Sequence, residues 1–497
     1  MSTQFTPAQT GLFRVFLIED RAGPSNEPDY QSSMMLGGID HPFGDEEAIK
    51  VPHPGRYDEF VEIGSVKGAA DRPSTSLTGQ YALDLASEIF RLGRKGCAID
   101  VQVHGGECTD PRIFNEFVKA IILEDVKIGN WSTDDLGSLS DDDRAQITES
   151  GDITASEVYE VLQLTLQERA PDVVQNVMTD VVICDTPSCG QCDNPSDGCE
   201  RIYALQGLLA GSPGTAPDVI YSIDGGLTFA SDEVNTLTSG EAADAIACIV
   251  GYVTVVSNAS QSLHYKDQDD IDDGTAGGWV EVTTGFVAAG APNDLWSLGH
   301  AAFVVGDGGY VYYCTDPSNG VTSLDAGVAT SENLKAVHAL DDKHALAVGE
   351  NDTLIYTSNR YTWNTATATG NGGTLAACWM ATEEIWWVLA SDGTLYYTEN
   401  TGQTWTEKSL PGNIDTGYDI AFGTDSVGYV CGAYNSNPRA WRSYNGGYSW
   451  KALPEGVQSL PSGTSYQALA ACEYDANFVV FVGEGAADDG TIVVGED

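Results

Sequence analysis

Residues 443–450, Ser443-Tyr-Asn-Gly-Gly-Tyr-Ser-Trp450, form a short motif that recurs along the chain. Residues 222–229 and 398–405 repeat its order of hydroxyl, any residue, Asn or Asp, any residue, Gly, any residue, hydroxyl and aromatic, and residues 357–363 are a copy that is one residue shorter. In such a turn the Asn or Asp side chain hydrogen-bonds the backbone, Gly adopts a positive φ, and the aromatic residue begins the next strand. The motif therefore predicts a tight β-hairpin at each copy.

The spacing of the copies predicts the architecture. With degenerate copies included, the first position of the motif falls at seven anchors: Ser222, Lys266, Cys314, Thr357, Thr398, Ser443 and Gly495. Neighbouring anchors are 41 to 52 residues apart, and a period of about 40–50 residues in a strand-rich chain is typical of β-propeller blades. We therefore predict a mainly β protein with a seven-bladed propeller over residues 201–497.

Each blade should contain four strands. We expect strands at 334–340, 344–349, 353–358 and 361–367 in blade four, and at 374–380, 384–389, 394–399 and 404–408 in blade five. Blade one should begin with strands at 180–185 and 200–208. The last copy ends after its third strand, so its outer strand should come from upstream of Asp180 and close the ring, which leaves no free sheet edge.

The chain is strongly acidic. Its 497 residues carry a formal net charge of −50, with only 23 Lys and Arg, and its pI is about 4.1. Nucleic-acid binding relies on Lys and Arg contacts to phosphates, so tight binding to DNA or RNA is not expected. The acidity fits either a halophilic source or a protein that stays soluble at high density, and the sequence does not separate the two.

No targeting or membrane-spanning segment is expected. The first ten residues lack a basic region followed by an apolar one, so they do not resemble a signal peptide. No apolar run approaches the length of a transmembrane helix, so we expect no membrane insertion. The 11 cysteines are odd in number and too sparse for a disulfide-dense secreted scaffold.

Residues 1–170 lack the repeat and are expected to form a separate α+β domain. Strands are predicted at 11–20, 57–67, 97–104 and 117–129, a helix at 84–92, and a hairpin-like pair at 147–168. Residues 21–54, between the first two strands, are rich in Pro, Gly and Asp and longer than an ordinary loop. We interpret them as an extended arm that orders on a neighbouring subunit.

Three segments of this domain carry a resemblance to a known family. They are residues 92–110 (LGRKGCAIDVQVHGGECTD), 135–144 (DLGSLSDDDR) and 155–160 (ASEVYE). They resemble segments of the tail tube (major tail) proteins of long-tailed phages and related archaeal viruses. The resemblance implies a β-sandwich with a flanking helix, which assembles with its copies into hexameric rings stacked as a tube. It also implies other tail proteins as partners, a virion location after assembly in the host cytoplasm, and viral DNA passing through the lumen.

A cysteine cluster marks the joint between the two domains, residues 171–200. It consists of Cys184, Cys189, Cys192 and Cys199 in the spacing C-x4-C-x2-C-x6-C. Four thiolates can hold a structural Zn²⁺ in a tetrahedral site, but this spacing matches no standard zinc finger. Two disulfides, or one disulfide plus free thiols, are equally compatible. Three further cysteines, Cys248, Cys378 and Cys472, fall on first strands and are expected to be buried thiols.

Two features of the propeller region could indicate a calcium site or a sialidase-like active site. Five acidic residues crowd one loop of blade two: Asp267, Asp269, Asp270, Asp272 and Asp273. Calcium binds such oxygen ligands, but the spacing is not that of an EF-hand, so a solvated acidic loop is favoured. The repeated turn is also the Asp-box of sialidase-like propellers, whose site uses three arginines to bind a carboxylate. The propeller region offers Arg201, Arg360, Arg439 and Arg442.

These observations favour a virion structural protein over two alternatives. We expect a tail tube subunit that forms the DNA conduit, is not an enzyme, and carries the propeller on its outside. The first alternative is a propeller that binds a host-surface glycan or protein through aromatic residues, for which Trp296, Trp379, Trp386 and Trp387 are candidates, although core packing is expected for most of them. The second alternative is an Asp-box glycoside hydrolase.

Overall fold

The computed structural model describes two compact units, Met1–Gln163 and Leu164–Asp497. In the first unit it describes the backbone of the strands given below. In the second unit it describes residues 164–169, 174, 176–184, 199–207, 217–237, 241–324, 330–453, 463, 465–473, 475–485 and 490–496.

The strands of the first unit form one large sheet and a small one. They are β1 (Phe13–Glu19), β2 (Gln31–Ile39), β3 (Glu47–Pro52), β4 (Phe60–Val66), β5 (Ser74–Gln80), β6 (Ile99–Gly105), β7 (Lys119–Ile128), β8 (Ser132–Thr133), β9 (Thr148–Thr154) and β10 (Glu157–Leu162). The large sheet has the order β10-β7-β6-β1-β2-β5-β9-β8 with an additional β7–β9 pairing, and β3 pairs with β4. The sandwich and the tail-tube fold stay predictions for this unit.

The strand pairing of the first unit bears on two expectations, and an arm that orders on a neighbouring subunit stays a prediction. The segment interpreted as an arm contains β2, which pairs with β1 and β5, and β3, which pairs with β4. The Pro, Gly and Asp residues of residues 21–54 obscured the short apolar run Met34-Met-Leu36 within β2. The expected hairpin at 147–168 is wrong, because β9 pairs with β5 and β10 pairs with β7. The predicted helix at 84–92 lies outside the described residues.

The second unit is a seven-bladed β-propeller, as the spacing of the motif predicted. Each blade is an antiparallel four-stranded sheet. Blade one consists of β12 (Met178–Cys184), β13 (Arg201–Gln206), β14 (Asp218–Ser222) and β15 (Ala230–Glu233); blade two of β16 (Ala245–Ile249), β17 (Tyr252–Ser257), β18 (Ser262–Asp267) and β19 (Val280–Val282); blade three of β20 (Pro292–Ser297), β21 (Ala302–Gly306), β22 (Val311–Cys314) and β23 (Thr322–Leu324).

Blades four to seven continue in the same way. They consist of β24 (Leu334–Ala339), β25 (Ala345–Gly349), β26 (Thr353–Thr357) and β27 (Trp363–Thr365); β28 (Leu375–Met380), β29 (Trp386–Ala390), β30 (Leu395–Thr398) and β31 (Thr406–Lys408); β32 (Thr416–Phe422), β33 (Gly428–Ala433), β34 (Pro438–Ser443) and β35 (Lys451–Ala452); β36 (Ser465–Ala471), β37 (Val479–Glu484) and β38 (Gly490–Glu496). The strands expected for blades four and five are confirmed to within a few residues at each end.

The core lies between neighbouring blades. The middle strands, such as β21 and β29, are buried along their whole length, which suits near-continuous apolar sequences with both faces covered. Apolar side chains of adjacent blades interdigitate, for example Phe303 of blade three with Trp363 of blade four. None of the helices in the described part of the chain has the length and apolar character that crossing a membrane requires.

Blade seven is closed by a strand from the start of the unit, as the sequence predicted. The strand β11 (Thr165–Arg169) pairs antiparallel with β38, from Thr165 opposite Glu496 to Arg169 opposite Ile492. The fourth strand of the last blade therefore comes from the other end of the propeller. The domain boundary accordingly falls before Leu164 and not after residue 170 as expected.

The repeated turn has the predicted geometry where its sequence is complete. In blade one, Asp224 accepts hydrogen bonds from the Thr228 backbone N–H at 2.8 Å and from its hydroxyl at 2.6 Å. The Ser222 hydroxyl accepts from the N–H of Gly226, which has a φ of 81°. Residues 398–405 and 443–450 repeat the two backbone bonds, but there the Asn side-chain amide donates to the hydroxyl. At the degenerate copy that begins at Lys266, a short helix, α1 (Gln268–Asp272), replaces the turn.

Two disulfides connect blade one to its neighbours on either side. Cys184 of β12 is bonded to Cys248 of β16 in blade two, with their Cα atoms 6.1 Å apart. Cys199 is bonded to Cys472, which follows β36 in blade seven, with a Cα distance of 5.9 Å. The expectation of buried free thiols is therefore wrong for Cys248 and Cys472, whereas Cys378 is a free, buried thiol.

Candidate functional site

The innermost strands of the seven blades, β12, β16, β20, β24, β28, β32 and β36, lie side by side in a closed ring. We call the space that they enclose the axial channel. Alternate residues of a strand point to the same side. Where side chains from the innermost strands of two non-adjacent blades approach each other, we infer that both face the axis. Two layers of such side chains, one acidic and one aromatic, form the candidate site.

The acidic layer consists of Asp180 of blade one, Asp294 of blade three and Asp419 of blade six. Each aspartate lies at a β-bulge near the beginning of its innermost strand. Repulsion from both Asp294 and Asp419 contributes to the raised pKa of Asp180. Because these three residues belong to blades that are not adjacent, with the ring between them, we place their carboxylates around the axis. All three remain partly exposed.

Each of these carboxylates also connects two neighbouring blades. The second carboxylate oxygen accepts a hydrogen bond from a backbone N–H of the next innermost strand: Ile246 to Asp180 at 2.8 Å, Val337 to Asp294 at 2.8 Å, and Leu469 to Asp419 at 3.0 Å. In all three cases the residue before the donor is alanine, which leaves room for the incoming carboxylate. The aspartates therefore stabilise the ring in addition to lining it.

Burial is the main reason that the carboxyl groups resist ionisation. It raises the pKa of Asp294 to about 7 and that of Asp419 to about 6, against the hydrogen bonds from backbone N–H groups, which lower both values. The charge of Asp419 raises the pKa of Asp294 further. Among the described residues, no positively charged side chain contributes to the pKa of either group. A pKa raised in this way favours the neutral, protonated form of each carboxyl group.

The aromatic layer lies two residues further along the innermost strands. Trp296 follows Asp294 at this spacing, and His338 and Trp379 occupy the same position in blades four and five. The His338 ring lies 4.3 Å from the ring of Trp296 and 3.9 Å from that of Trp379, centroid to centroid. The two indoles also contact each other edge to face at 5.3 Å, although they belong to non-adjacent blades. Both are partly exposed.

His338 is neutral and has a defined tautomer. Burial lowers its pKa to about 3. The Met380 backbone N–H donates to its Nδ1 at 3.1 Å, so the ring proton resides on Nε2. The side chain is 4% exposed, and Nε2 is not one of the buried polar atoms of the described chain that lack a hydrogen-bond partner. The aromatic layer therefore contains a neutral imidazole packed between two indoles.

The four tryptophans proposed from the sequence separate into two groups. Trp386 and Trp387 are fully buried in the core between blades. Trp296 and Trp379 are the two that face the axial channel. The expectation that most of these residues pack in the core therefore holds for the first pair only, and the structure brings the second pair together with His338.

The arginines considered for a carboxylate-binding site have separate partners. Arg201 of blade one forms an ion pair with Asp272 at 2.6 Å. Arg360 of blade four donates to the Asp342 carbonyl oxygen at 2.8 Å and lies over the Tyr313 ring at 4.2 Å. Arg442 of blade six is fully buried and donates to the Ala476 carbonyl oxygen at 2.8 Å. The fourth, Arg439, lies over the ring of Tyr434 in the same blade. The structure does not bring them together.

The acidic segment of blade two is solvated, as expected, since four of its five aspartates are exposed, but it is helical and not a loop. It forms α1, which Asp267 caps by accepting from the Asp269 N–H at 3.0 Å. Asp272 accepts from the Tyr203 hydroxyl at 2.8 Å and forms the ion pair with Arg201. A capping side chain and a nearby arginine on blade one explain the helix. Asp270 and Asp273 belong to the same segment.

The four-cysteine cluster is not one set of ligands in this structure. A zinc site built from these four cysteines would need all four as thiolates, but Cys184 and Cys199 form disulfides with Cys248 and Cys472. Cys189 and Cys192 lie outside the described residues. Elsewhere in the described chain, no group of three or more His, Cys, Asp or Glu is arranged to hold a metal ion.

Sequence reasoning missed the three axial aspartates and His338. In a chain with 73 acidic residues, no single carboxylate stands out by composition. A signal was nevertheless present, because Asp180, Asp294 and Asp419 each directly precede the apolar part of a first strand. An alignment of the blades on their first strands would have placed these aspartates at one position of the repeat.

The fold defines the class of protein as a seven-bladed β-propeller. Solved propellers resemble it, including YCF48 from Cyanidioschyzon merolae (14% identity, 67% of this chain and 98% of that chain, TM-score 0.48), the WD40 propeller domain of Doa1 (12%, 67% and 97%, 0.49) and a virginiamycin B lyase from Staphylococcus aureus (12%, 67% and 99%, 0.46). No protein-family model and no curated protein matches the chain.

Proposed function

We propose that this protein is a structural subunit of a viral tail, with residues 1–163 forming the tube and the propeller lying on its outside. The observation that carries the proposal is the resemblance of residues 92–110, 135–144 and 155–160 to tail tube proteins. A propeller that closes on itself through β11 and β38 suits an appended domain, because it needs no other chain to complete its sheets. In this proposal the subunit has no catalytic activity.

Two properties of the chain support a place in a virus particle. Disulfides persist on the surface of virions and in other oxidising surroundings, and the propeller contains two. The net charge of −50 would prevent a tube from holding the DNA that moves through it. The proposed partners are further copies of the chain in a hexameric ring, other tail proteins, and viral DNA that passes without specific binding.

Electron microscopy of the purified full-length chain tests this function. We expect rings or tubes from the full chain and dispersed particles from residues 164–497. Residues 1–163 alone should form thinner tubes, because the propeller is assigned to the outside. If the full chain stays monomeric across protein concentrations and salt conditions, the tail tube assignment is wrong.

A second candidate function is recognition of a host surface by the propeller. The observation that favours it is the partly exposed pair Trp296 and Trp379 in the axial channel, because exposed aromatic side chains are common in binding sites. Fluorescently labelled residues 164–497 should then bind to host cells, and Trp379→Phe should bind more weakly. Equal binding by the two proteins would exclude the channel as the recognition site.

A further inference from the structure

We propose that the Cys184–Cys248 disulfide is a redox-sensitive latch, which dithiol reductants open under conditions that leave the second disulfide, Cys199–Cys472, closed. Opening of the latch loosens the helix α1 and the ends of the innermost strands of blades one and two. The inference concerns the propeller alone, so it goes beyond the proposed tail function and does not depend on tube assembly.

The latch joins two innermost strands near the point where both strands end. Cys184 is the last residue of β12 in blade one, and Cys248 is the last but one residue of β16 in blade two. Nearer the beginning of these strands, the Ile246 N–H donates to the Asp180 carboxylate at 2.8 Å. Apolar side chains of blades one and two also share one core. Reduction removes the covalent link alone, so the movement should be local to the strand ends.

The two disulfides differ in how far a reductant can reach them. Thiol–disulfide exchange begins when a thiolate attacks one of the two sulfur atoms, so its rate depends on access. Cys248 is partly exposed, whereas Cys199 and Cys472 are 3% and 2% exposed in the core between blades one and seven. A reductant can therefore attack the latch in the folded chain, but it reaches the second disulfide only after local unfolding.

The helix α1 contacts the latch directly. The side-chain amide of Gln268, which is 2% exposed, donates to the Cys248 Sγ at 3.5 Å. At the other end of the helix, Asp272 forms its ion pair with Arg201 of blade one. The helix has five residues, far fewer than a helix needs to be stable alone, so it depends on such contacts. When the two sulfur atoms separate, Cys248 moves relative to Gln268 and α1 loses part of its support.

The reaction with dithiothreitol proceeds in two steps. A thiolate of the reductant attacks the Cys248 Sγ, the S–S bond breaks, and Cys184 leaves as a thiolate that takes up a proton. The second thiol of the reductant then attacks the mixed disulfide, forms a cyclic disulfide and releases Cys248. In sum, the reductant gives up two electrons and two protons, and the protein disulfide receives them.

The order of reduction is the first test. In the oxidised full-length chain, thiols that are already accessible are blocked with N-ethylmaleimide, and the excess is removed. Dithiothreitol is then added under native conditions, and new thiols are labelled with iodoacetamide at successive times and identified by mass spectrometry. We expect both cysteines of the latch to be labelled roughly tenfold faster than those of the second disulfide, which waits for local unfolding.

Amide hydrogen exchange measures the loosening. On reduction of the latch, exchange should become at least about threefold faster in residues 245–249 and 268–272, because reduction removes a constraint on both segments. Residues 386–390 form a buried strand of blade five, far along the ring from the latch, and their exchange should not change.

A pair of substitutions imitates the open latch. Cys184→Ser with Cys248→Ser should show the faster exchange of residues 268–272 without reductant, and dithiothreitol should then accelerate it no further. The matched control is Cys314→Ser, which removes a free, buried thiol of blade three. This control should respond to dithiothreitol as the unmodified chain does.

Three results would overturn the proposal: labelling of the second disulfide at least as fast as that of the latch, unchanged exchange of residues 268–272 after reduction, or a further response of the double serine variant to dithiothreitol. If that variant does not fold, the order of labelling and the exchange of the unmodified chain still decide the question.

Discussion

The closing strand β11 should contribute a large part of the stability of the propeller. Leu164 is fully buried and Leu166 is 8% exposed. Both flank Gly495 of β38, where an added Cβ would lie 2.9 Å from Leu164 and 3.0 Å from Leu166. Full burial of one leucine contributes about 1.5–3 kcal/mol, so the pair contributes about 3–6 kcal/mol. Domains are commonly stable by only about 5–15 kcal/mol.

We therefore expect residues 175–497, which lack β11, to unfold at a much lower urea concentration than residues 164–497. Equilibrium unfolding followed by tryptophan fluorescence measures the difference. The unpaired edge of β38 should also make the shorter fragment self-associate, which size-exclusion chromatography detects. A synthetic peptide of residues 163–174 should restore part of the stability by pairing with the free edge.

A fragment of constant length controls for the truncation itself. Leu164→Ala and Leu166→Ala, introduced together into residues 164–497, should reproduce most of the loss of stability while leaving the backbone pairing of β11 available. If residues 175–497 and 164–497 unfold at the same urea concentration, the ring does not depend on this strand. The reasoning from buried leucines would then be refuted.

Three further perturbations follow from the structure. Burial lowers the pKa of His338 to about 3, so below about pH 6.5 the unfolded chain binds a proton that the folded chain does not, and stability falls. Between pH 7 and pH 5 the free energy of unfolding in urea should decrease by about 2 kcal/mol more for the unmodified chain than for His338→Gln. Gly447→Ala should lower the free energy of unfolding by about 1–3 kcal/mol, since its Cβ would lie 2.5 Å from Trp387 at a φ of 89°. Gly412→Ala, with a φ of 93° and open space around the Cβ, is the control that carries the backbone strain alone. Similar melting temperatures for the two variants would contradict the packing argument. Cys199→Ser with Cys472→Ser should cost up to about 5 kcal/mol, because the chain-entropy effect grows with loop length and the bond spans 273 residues; an unchanged melting temperature under non-reducing conditions would contradict it.

The propeller could be predicted because its turns are specified locally. The hydrogen bonds that Asp224 and Ser222 form reach only a few residues along the chain, so the same short sequence produces the same turn wherever it occurs. The copy at Lys266 departs for an equally local reason, since Asp267 caps a helix there. The closing strand followed from counting strands, because a blade with three strands would leave a free edge.

The candidate site could not be predicted because its members meet only through ring closure. Asp180 and Asp419 lie at opposite ends of the propeller sequence, and no spacing rule connects them. The disulfides could not be predicted for the same reason, since the partner of Cys199 is 273 residues away in the sequence. The cysteine cluster also suggested the wrong partners, because nearness in sequence was taken as nearness in space. In a closed ring, the first and last blades are neighbours.

The pairing of the cysteines has a consequence for when the disulfides should form during synthesis. On the ribosome, Cys184 and Cys199 emerge together, and Cys248 is the next cysteine to appear. It is the native partner of Cys184 only. The partner of Cys199 is Cys472, which is synthesised when almost the whole propeller already exists. An oxidant that acts during translation would therefore trap Cys199 with the wrong sulfur. Correct pairing is best served by synthesis under reducing conditions, with oxidation only after the seventh blade has been added.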